Sequence, residues 1–75
     1  MRPKGQITQE MVDAVFSDPK LKKRFKQPRK AQSVCEARLA GDIYADIAKR
    51  FKVSNYFCIQ SVYKVARLYT VFVEG

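Results

Sequence analysis

The sequence contains no histidine and no tryptophan, and Cys35 and Cys58 are its two cysteines. Without histidine, the chain lacks the commonest general base and the commonest metal ligand in proteins. The two cysteines are far apart and do not form the CxxC pair of a structural zinc site. We therefore expect no metal and no cofactor. We expect both thiols to be reduced and buried in helices, as suits the cytoplasm, and a disulfide between them is the alternative.

Long apolar runs and a signal peptide are also missing, so we expect a cytoplasmic protein with no membrane segment. Acidic residues are few, because seven Asp and Glu stand against 15 Lys and Arg, which gives a net charge of +8. A hydrophobic fraction of 47% separates the chain from a disordered basic tail. Its 75 residues suffice for one small domain with a thin core. We expect a basic binding module and not an enzyme, and Glu36, Asp42 and Asp46 are poor candidates for acid–base catalysis.

The chain divides into a basic arm over residues 1–6 and a single domain over residues 7–75. Within the domain, apolar residues recur at helical spacing in four or five segments, which predicts a small all-α fold. The last residues, 69–75, are rich in β-branched and aromatic side chains. The sequence is therefore compatible with either a helix or a short strand in this segment. A lone strand is unstable, so a strand here would need a second copy or the core to pack against.

Each predicted helix begins at a capping residue or a proline. The second helix is expected to be short and to end near Lys26, and Gly41 is expected to stop the third. The fourth helix is predicted from Ile43 to about Phe51. The predicted starts are Thr8, Asp18 with Pro19, Pro28, Asp42, and either Ser54 or Asn55.

Residues 37–54 contain the pattern Gly-x5-Ile-Ala-x2-Phe-x-Val-Ser and are followed by an amphipathic helix. This stretch resembles the helix-turn-helix of bacterial and phage DNA-binding proteins, in its homeodomain-like or resolvase-like form. The resemblance implies a motif over about residues 43–64, with a recognition helix over about residues 55–68 in the major groove. It rests on Leu39, Gly41, Ile47, Ala48, Phe51, Val53 and Ser54.

The pattern departs from the motif at two places. Lys52 stands where such turns usually have glycine, and a left-handed backbone there would cost about 1 kcal/mol. Counting strictly from Ala48 makes Cys58 and Ser61 the buried residues of the recognition helix, whereas Ile59 and Val62 are the better hydrophobes. Both registers stay open.

The resemblance implies contacts to base edges from the recognition helix. Asn and Gln side chains can bridge an adenine edge, and Tyr can meet a thymine methyl group. Seven basic residues between positions 20 and 30, with no acid between Asp18 and Glu36, favour phosphate contacts over a merely solvated face. The predicted base contacts are Asn55, Tyr56, Gln60 and Ser61. The predicted phosphate contacts are Lys20, Lys22, Lys23, Arg24, Lys26, Arg29, Lys30, Ser54 and Lys64.

Together these features predict sequence-specific binding of double-stranded DNA by a small, repressor-like transcriptional regulator of a phage or mobile element. We expect a homodimer that associates through residues 69–75. One alternative is a module that binds a protein partner, such as polymerase, packaging or conjugation machinery, through Tyr56, Phe57 and the C-terminal residues. Another is non-specific nucleic-acid binding through the basic residues alone. DNA reading requires those basic residues and the exposed face of the fifth helix to lie on one side.

Overall fold

Five α-helices and a terminal π-helical segment account for most of the computed structural model, which describes residues 7–74. The arm at residues 1–6 lies outside the described residues. The prediction of an all-α domain is confirmed. Residues 7–74 contain no strand, so the alternative of a C-terminal strand is wrong. The helices are α1 (Gln9–Ser17), α2 (Pro19–Lys22), α3 (Pro28–Leu39), α4 (Tyr44–Phe51) and α5 (Asn55–Leu68), followed by the π-helical segment Tyr69–Glu74.

Three of the predicted caps are confirmed by hydrogen bonds to free backbone N–H groups at helix starts. The Thr8 hydroxyl accepts from the Met11 N–H at 3.3 Å. The Asp18 carboxylate accepts from the Lys20 N–H at 2.9 Å. At the start of α5 the Ser54 hydroxyl accepts from the Phe57 N–H at 3.0 Å. The cap is therefore Ser54 and not Asn55.

Two predicted boundaries are wrong. Helix α2 ends at Lys22 instead of Lys26, because the backbone tightens into a turn in which the Phe25 N–H donates to the Lys22 carbonyl at 3.2 Å. This turn buries Phe25 beside Phe16, with ring centroids 4.9 Å apart. Burial of the Phe25 ring outweighs the weak helix preference of Lys23 and Arg24.

Helix α4 begins at Tyr44, one residue later than predicted, and Asp42 does not cap it. The Asp42 carboxylate instead pairs with the Arg50 guanidinium at 3.0 Å. Ile43 takes the capping position without a side-chain hydrogen bond, and its side chain is 59% exposed. An acidic side chain near a helix start can cap the helix or form an ion pair, and Asp42 forms the ion pair.

The two left-handed positions anticipated from the sequence are both present. Gly41 has φ of 103° and ends α3 as predicted. Lys52 has φ of 55° and ends α4, where its backbone lets the Val53 N–H donate to the Ala48 carbonyl at 3.0 Å. The α4–α5 connection is therefore a tight turn of residues 52–54, closed on its far side by Ser54.

The buried side chains form two core clusters with α3 contributing to both. The first core cluster joins α1, α2, α3 and the C-terminal half of α5, and consists of Ile7, Met11, Val12, Val15, Phe16, Leu21, Phe25, Ala31, Cys35, Val62, Val65 and Leu68. The second core cluster joins α3, α4 and the start of α5, and consists of Val34, Ala37, Ile47, Ala48 and Cys58. The side chains of both clusters leave one long face of α5 uncovered.

None of the helices within residues 7–74 combines the length and the apolar character needed to cross a bilayer.

Candidate nucleic-acid interface

The uncovered face of α5 is a row of four exposed side chains, Tyr56, Gln60, Tyr63 and Arg67. Their spacings of four, three and four residues place them on one side of a helix with 3.6 residues per turn. We call this row the α5 stripe. Tyr56 is 71% exposed and Tyr63 is 45% exposed. The sequence of α5 contains no Asp or Glu, so nothing on this helix would repel an anion.

Two of the predicted base contacts, Tyr56 and Gln60, lie in the stripe, and Asn55 is exposed at the start of the helix. Tyr63 and Arg67 share this exposed face but are not among the predicted base contacts. Positions 56, 60, 63 and 67 follow the helical repeat, whereas the resemblance to the helix-turn-helix implies contacts from the first two turns of the helix.

Ser61 is wrong as a predicted base contact, because it is 5% exposed and its hydroxyl donates to the Phe57 carbonyl at 2.8 Å. Cys58 is fully buried and Ile59 is only half-buried, which selects the strict register of the two left open by the sequence. A small serine can be buried here because its hydroxyl is satisfied within its own helix. Val62 is buried as well, so the inward face of α5 is wider than either register required.

The seven basic residues of positions 20–30, the basic segment, are all exposed. Leu21 and Phe25 anchor the segment by pointing inward, at 3% and 8% exposed. The long cationic side chains are thereby displayed around a fixed backbone. The segment consists of Lys20, Lys22, Lys23, Arg24, Lys26, Arg29 and Lys30 with the residues between them.

The basic segment and α5 meet at Lys64. The Lys64 ammonium donates a hydrogen bond to the Arg24 carbonyl. The same ammonium nitrogen lies 5.1 Å from the centroid of the Phe25 ring. A lysine ammonium has three donors, so Lys64 remains able to contact a phosphate while it holds this junction.

The junction extends to the π-helical segment Tyr69–Glu74, which we call the C-terminal segment. The Arg24 guanidinium carbon lies 4.8 Å from the centroid of the Phe72 ring. Such cation–π contacts at exposed sites contribute about 0.5–1 kcal/mol. Three apolar side chains of this segment are about half exposed, namely Val71, Phe72 and Val73.

Asp42, just before α4, is engaged in structural contacts. Asp42 pairs with Arg50, and its backbone carbonyl accepts from the Arg38 guanidinium at 3.2 Å. Arg38 also lies over the Tyr44 ring, 5.1 Å from the centroid. In the part of the chain that the structure describes, no three Cys, Asp or Glu side chains are grouped so as to hold a metal ion.

Both cysteines are free and buried, as predicted, and the disulfide alternative is not formed. Burial raises the pKa of the Cys35 thiol to about 12, and the negative charges of Glu36 and of an ionised Cys58 add to the shift. Burial also raises the pKa of Cys58. The thiolate is the nucleophilic form, so neither residue is suited to react at neutral pH.

Comparison with known proteins gave no likeness. No protein-family model matches the chain, and neither a curated protein nor a solved structure matches it significantly. The α5 stripe, the basic segment and the junction between them are therefore the features that bear on function.

Proposed function

We propose that the chain binds double-stranded DNA, with α5 in the major groove and the basic segment on the phosphates. The observation that carries the proposal is the contact of the Lys64 ammonium with the Arg24 carbonyl and the Phe25 ring. It brings the Arg24–Phe25 part of the basic segment against the edge of the helix that bears the stripe. This contact supports the proposal, because DNA binding requires both features on one side of the molecule.

The charges of the two features suit a duplex. B-DNA has one negative charge for about every 1.7 Å of its axis, and cations that replace condensed counterions supply affinity. The basic segment provides seven cations, while the stripe provides side chains that can distinguish bases, a glutamine, two tyrosines and an arginine. Affinity and specificity thus come from adjoining surfaces.

The local geometry around α4 and α5 supports a helix-turn-helix. Ala48 is small and 9% exposed where α5 packs on α4, and Ile47 is fully buried in the same cluster. Lys52 adopts the left-handed turn and Ser54 caps the following helix. A helix held in this way presents its outer face to a groove.

A role as a small transcriptional regulator that acts as a homodimer follows as part of the proposal. A single short helix reads few base pairs, and two copies double the site. The half-exposed Val71, Phe72 and Val73 support self-association through the C-terminal segment. Sedimentation equilibrium at increasing protein concentration measures this self-association. A protein that stays monomeric even in the presence of DNA would contradict the proposed dimer.

The test is a fluorescence-anisotropy titration with two duplexes, one of random sequence and one from the upstream region of the gene, each at two salt concentrations. We expect a preference of roughly 10³ or more for the upstream duplex and a steep loss of affinity with salt. Equal and weak binding to both duplexes would leave non-specific attraction. Absence of binding near physiological salt would overturn the proposal and favour a protein partner held by Tyr56 and the C-terminal segment.

Two variants separate the surfaces. Lys22→Gln combined with Lys23→Gln is expected to weaken binding to both duplexes and to flatten the salt dependence by roughly one unit of slope per lost phosphate contact. Gln60→Ala is expected to weaken binding to the preferred duplex alone. If Gln60→Ala leaves the preference intact, the exposed face of α5 does not read bases at this position.

A further inference from the structure

The two halves of α5 have different neighbours. In its first turns, Cys58 packs with Ile47 and Ala48 of α4. Further along, Val62, Val65 and Leu68 share the first core cluster with the buried residues of the basic segment. Lys64 makes its contacts with Arg24 and Phe25 in this second half. Arg24 and Phe25 of the basic segment therefore lie beside the C-terminal half of the helix.

The position of the phosphate-binding residues decides which part of a helix reaches the bases. A duplex backbone bound at Arg24 and its neighbours would run alongside residues 60–67, which would place the groove floor beneath that part of the stripe. Gln60 and Arg67 are seven residues apart, which is about 10.5 Å along a helix and close to three base-pair steps of about 3.4 Å. The length fits a short run of adjacent base pairs.

We propose that the base-reading surface extends to Tyr63 and Arg67, and that Arg67 specifies a guanine. This inference rests on the proposed binding of duplex DNA. Arg67 is exposed at the C-terminal end of the stripe, beyond Tyr63. A guanidinium offers two parallel donors in a rigid plane that match O6 and N7 of guanine, whereas a lysine ammonium reaches the same acceptors without a fixed geometry. Tyr63, one turn earlier, presents its ring to a neighbouring thymine methyl group.

The test compares base preferences after a change that keeps charge but removes the fork of donors. Wild-type protein, Arg67→Lys and a control, Arg29→Lys, are each used to select duplexes from a library with a randomised centre. Arg29 is an exposed arginine of the basic segment and a predicted phosphate contact, so the same substitution there should not alter base preference. Circular dichroism checks that all three proteins keep their helix content.

For Arg67→Lys we expect the preference for guanine to weaken at one position of the selected site, with a fall in discrimination there of up to about 150-fold. The other positions and the salt dependence should stay as in the wild type. A companion variant, Tyr63→Ala, is expected to relax the preference at a neighbouring position.

Two results would overturn the inference and are distinguishable. If wild-type protein selects a defined site and Arg67→Lys selects the same site with the same preferences, Arg67 does not read bases, although the proposed function survives. If wild-type protein enriches no sequence at all, specific DNA binding fails and the inference fails with it.

Discussion

Lys52 is the residue at which the backbone departs furthest from what its side chain favours. Its φ of 55° lies in the left-handed region, which costs a residue with a Cβ atom about 1–2 kcal/mol. Glycine avoids this cost but loses more freedom on folding. We therefore expect Lys52→Gly to raise the free energy of unfolding by about 0.5–1 kcal/mol, as measured by urea denaturation.

The control for that change is Lys49→Gly, an exposed position inside α4. There glycine should lower the free energy of unfolding by about 1 kcal/mol, because the helical backbone gains nothing from it. A loss of stability in both variants would mean that the Lys52 side chain stabilises the turn by more than its left-handed backbone costs.

Cys35 should make stability depend on alkaline pH. Its pKa is raised from 9.0 to about 12 by burial, so the folded protein keeps the thiol proton at pH values where the unfolded chain has lost it. The contribution of Cys35 is then fully present below about pH 9 and falls as pH rises towards 12, by up to about 1.4 kcal/mol per pH unit.

The measurement is the difference in free energy of unfolding between wild type and Cys35→Ala, determined at neutral pH and again near pH 10. Every other ionisable group is present in both proteins, so the difference isolates Cys35. It should narrow at the higher pH. A difference that stays constant would show that the thiol ionises as easily when folded as when unfolded.

At the scale of one element, α5 has adjacent residues with opposite expected roles. Ser61 is buried and bonded to the Phe57 carbonyl, while Gln60 is exposed in the stripe. Ser61→Ala should leave DNA affinity unchanged and alter the free energy of unfolding by less than about 1 kcal/mol, because alanine favours helix and the carbonyl keeps its backbone partner. The same anisotropy titration used for Gln60→Ala checks this. A loss of DNA affinity in Ser61→Ala equal to that in Gln60→Ala would contradict the assignment of faces.

Three helix caps and two turns were predictable, because they depend on neighbouring residues. Thr8, Asp18 and Ser54 bond to backbone groups two or three residues away, and Gly41 and Lys52 set their own φ. A sequence contains all of that information.

What could not be predicted depends on residues distant in the chain. Phe25 packs on Phe16 just after the end of α2, and Asp42 pairs with Arg50 instead of capping α4. The junction at Lys64 joins positions forty residues apart. The helical spacing of residues within α5 predicts its exposed face. It does not predict that the basic segment lies beside that face.

For the whole molecule, charge should affect folding and binding in opposite directions. A net charge of +8, with seven cations gathered in the basic segment, makes the folded chain repel itself. Added salt screens that repulsion, so the free energy of unfolding should rise with salt while affinity for DNA falls. Urea denaturation at low and moderate salt measures the first effect. A fall in stability with salt would mean that ion pairs such as Asp42–Arg50 outweigh the repulsion.

The double role of α3 has a consequence for how the protein opens. Ala31 and Cys35 belong to the first core cluster, and Val34 and Ala37 to the second. Neither cluster survives the loss of α3, so the two halves are not independent folding units. Amide hydrogen exchange should therefore be slowest at Val34 and Cys35, at the rate of global unfolding. A substitution that loosens either cluster should speed exchange throughout the helix, because the chain opens as one cooperative body.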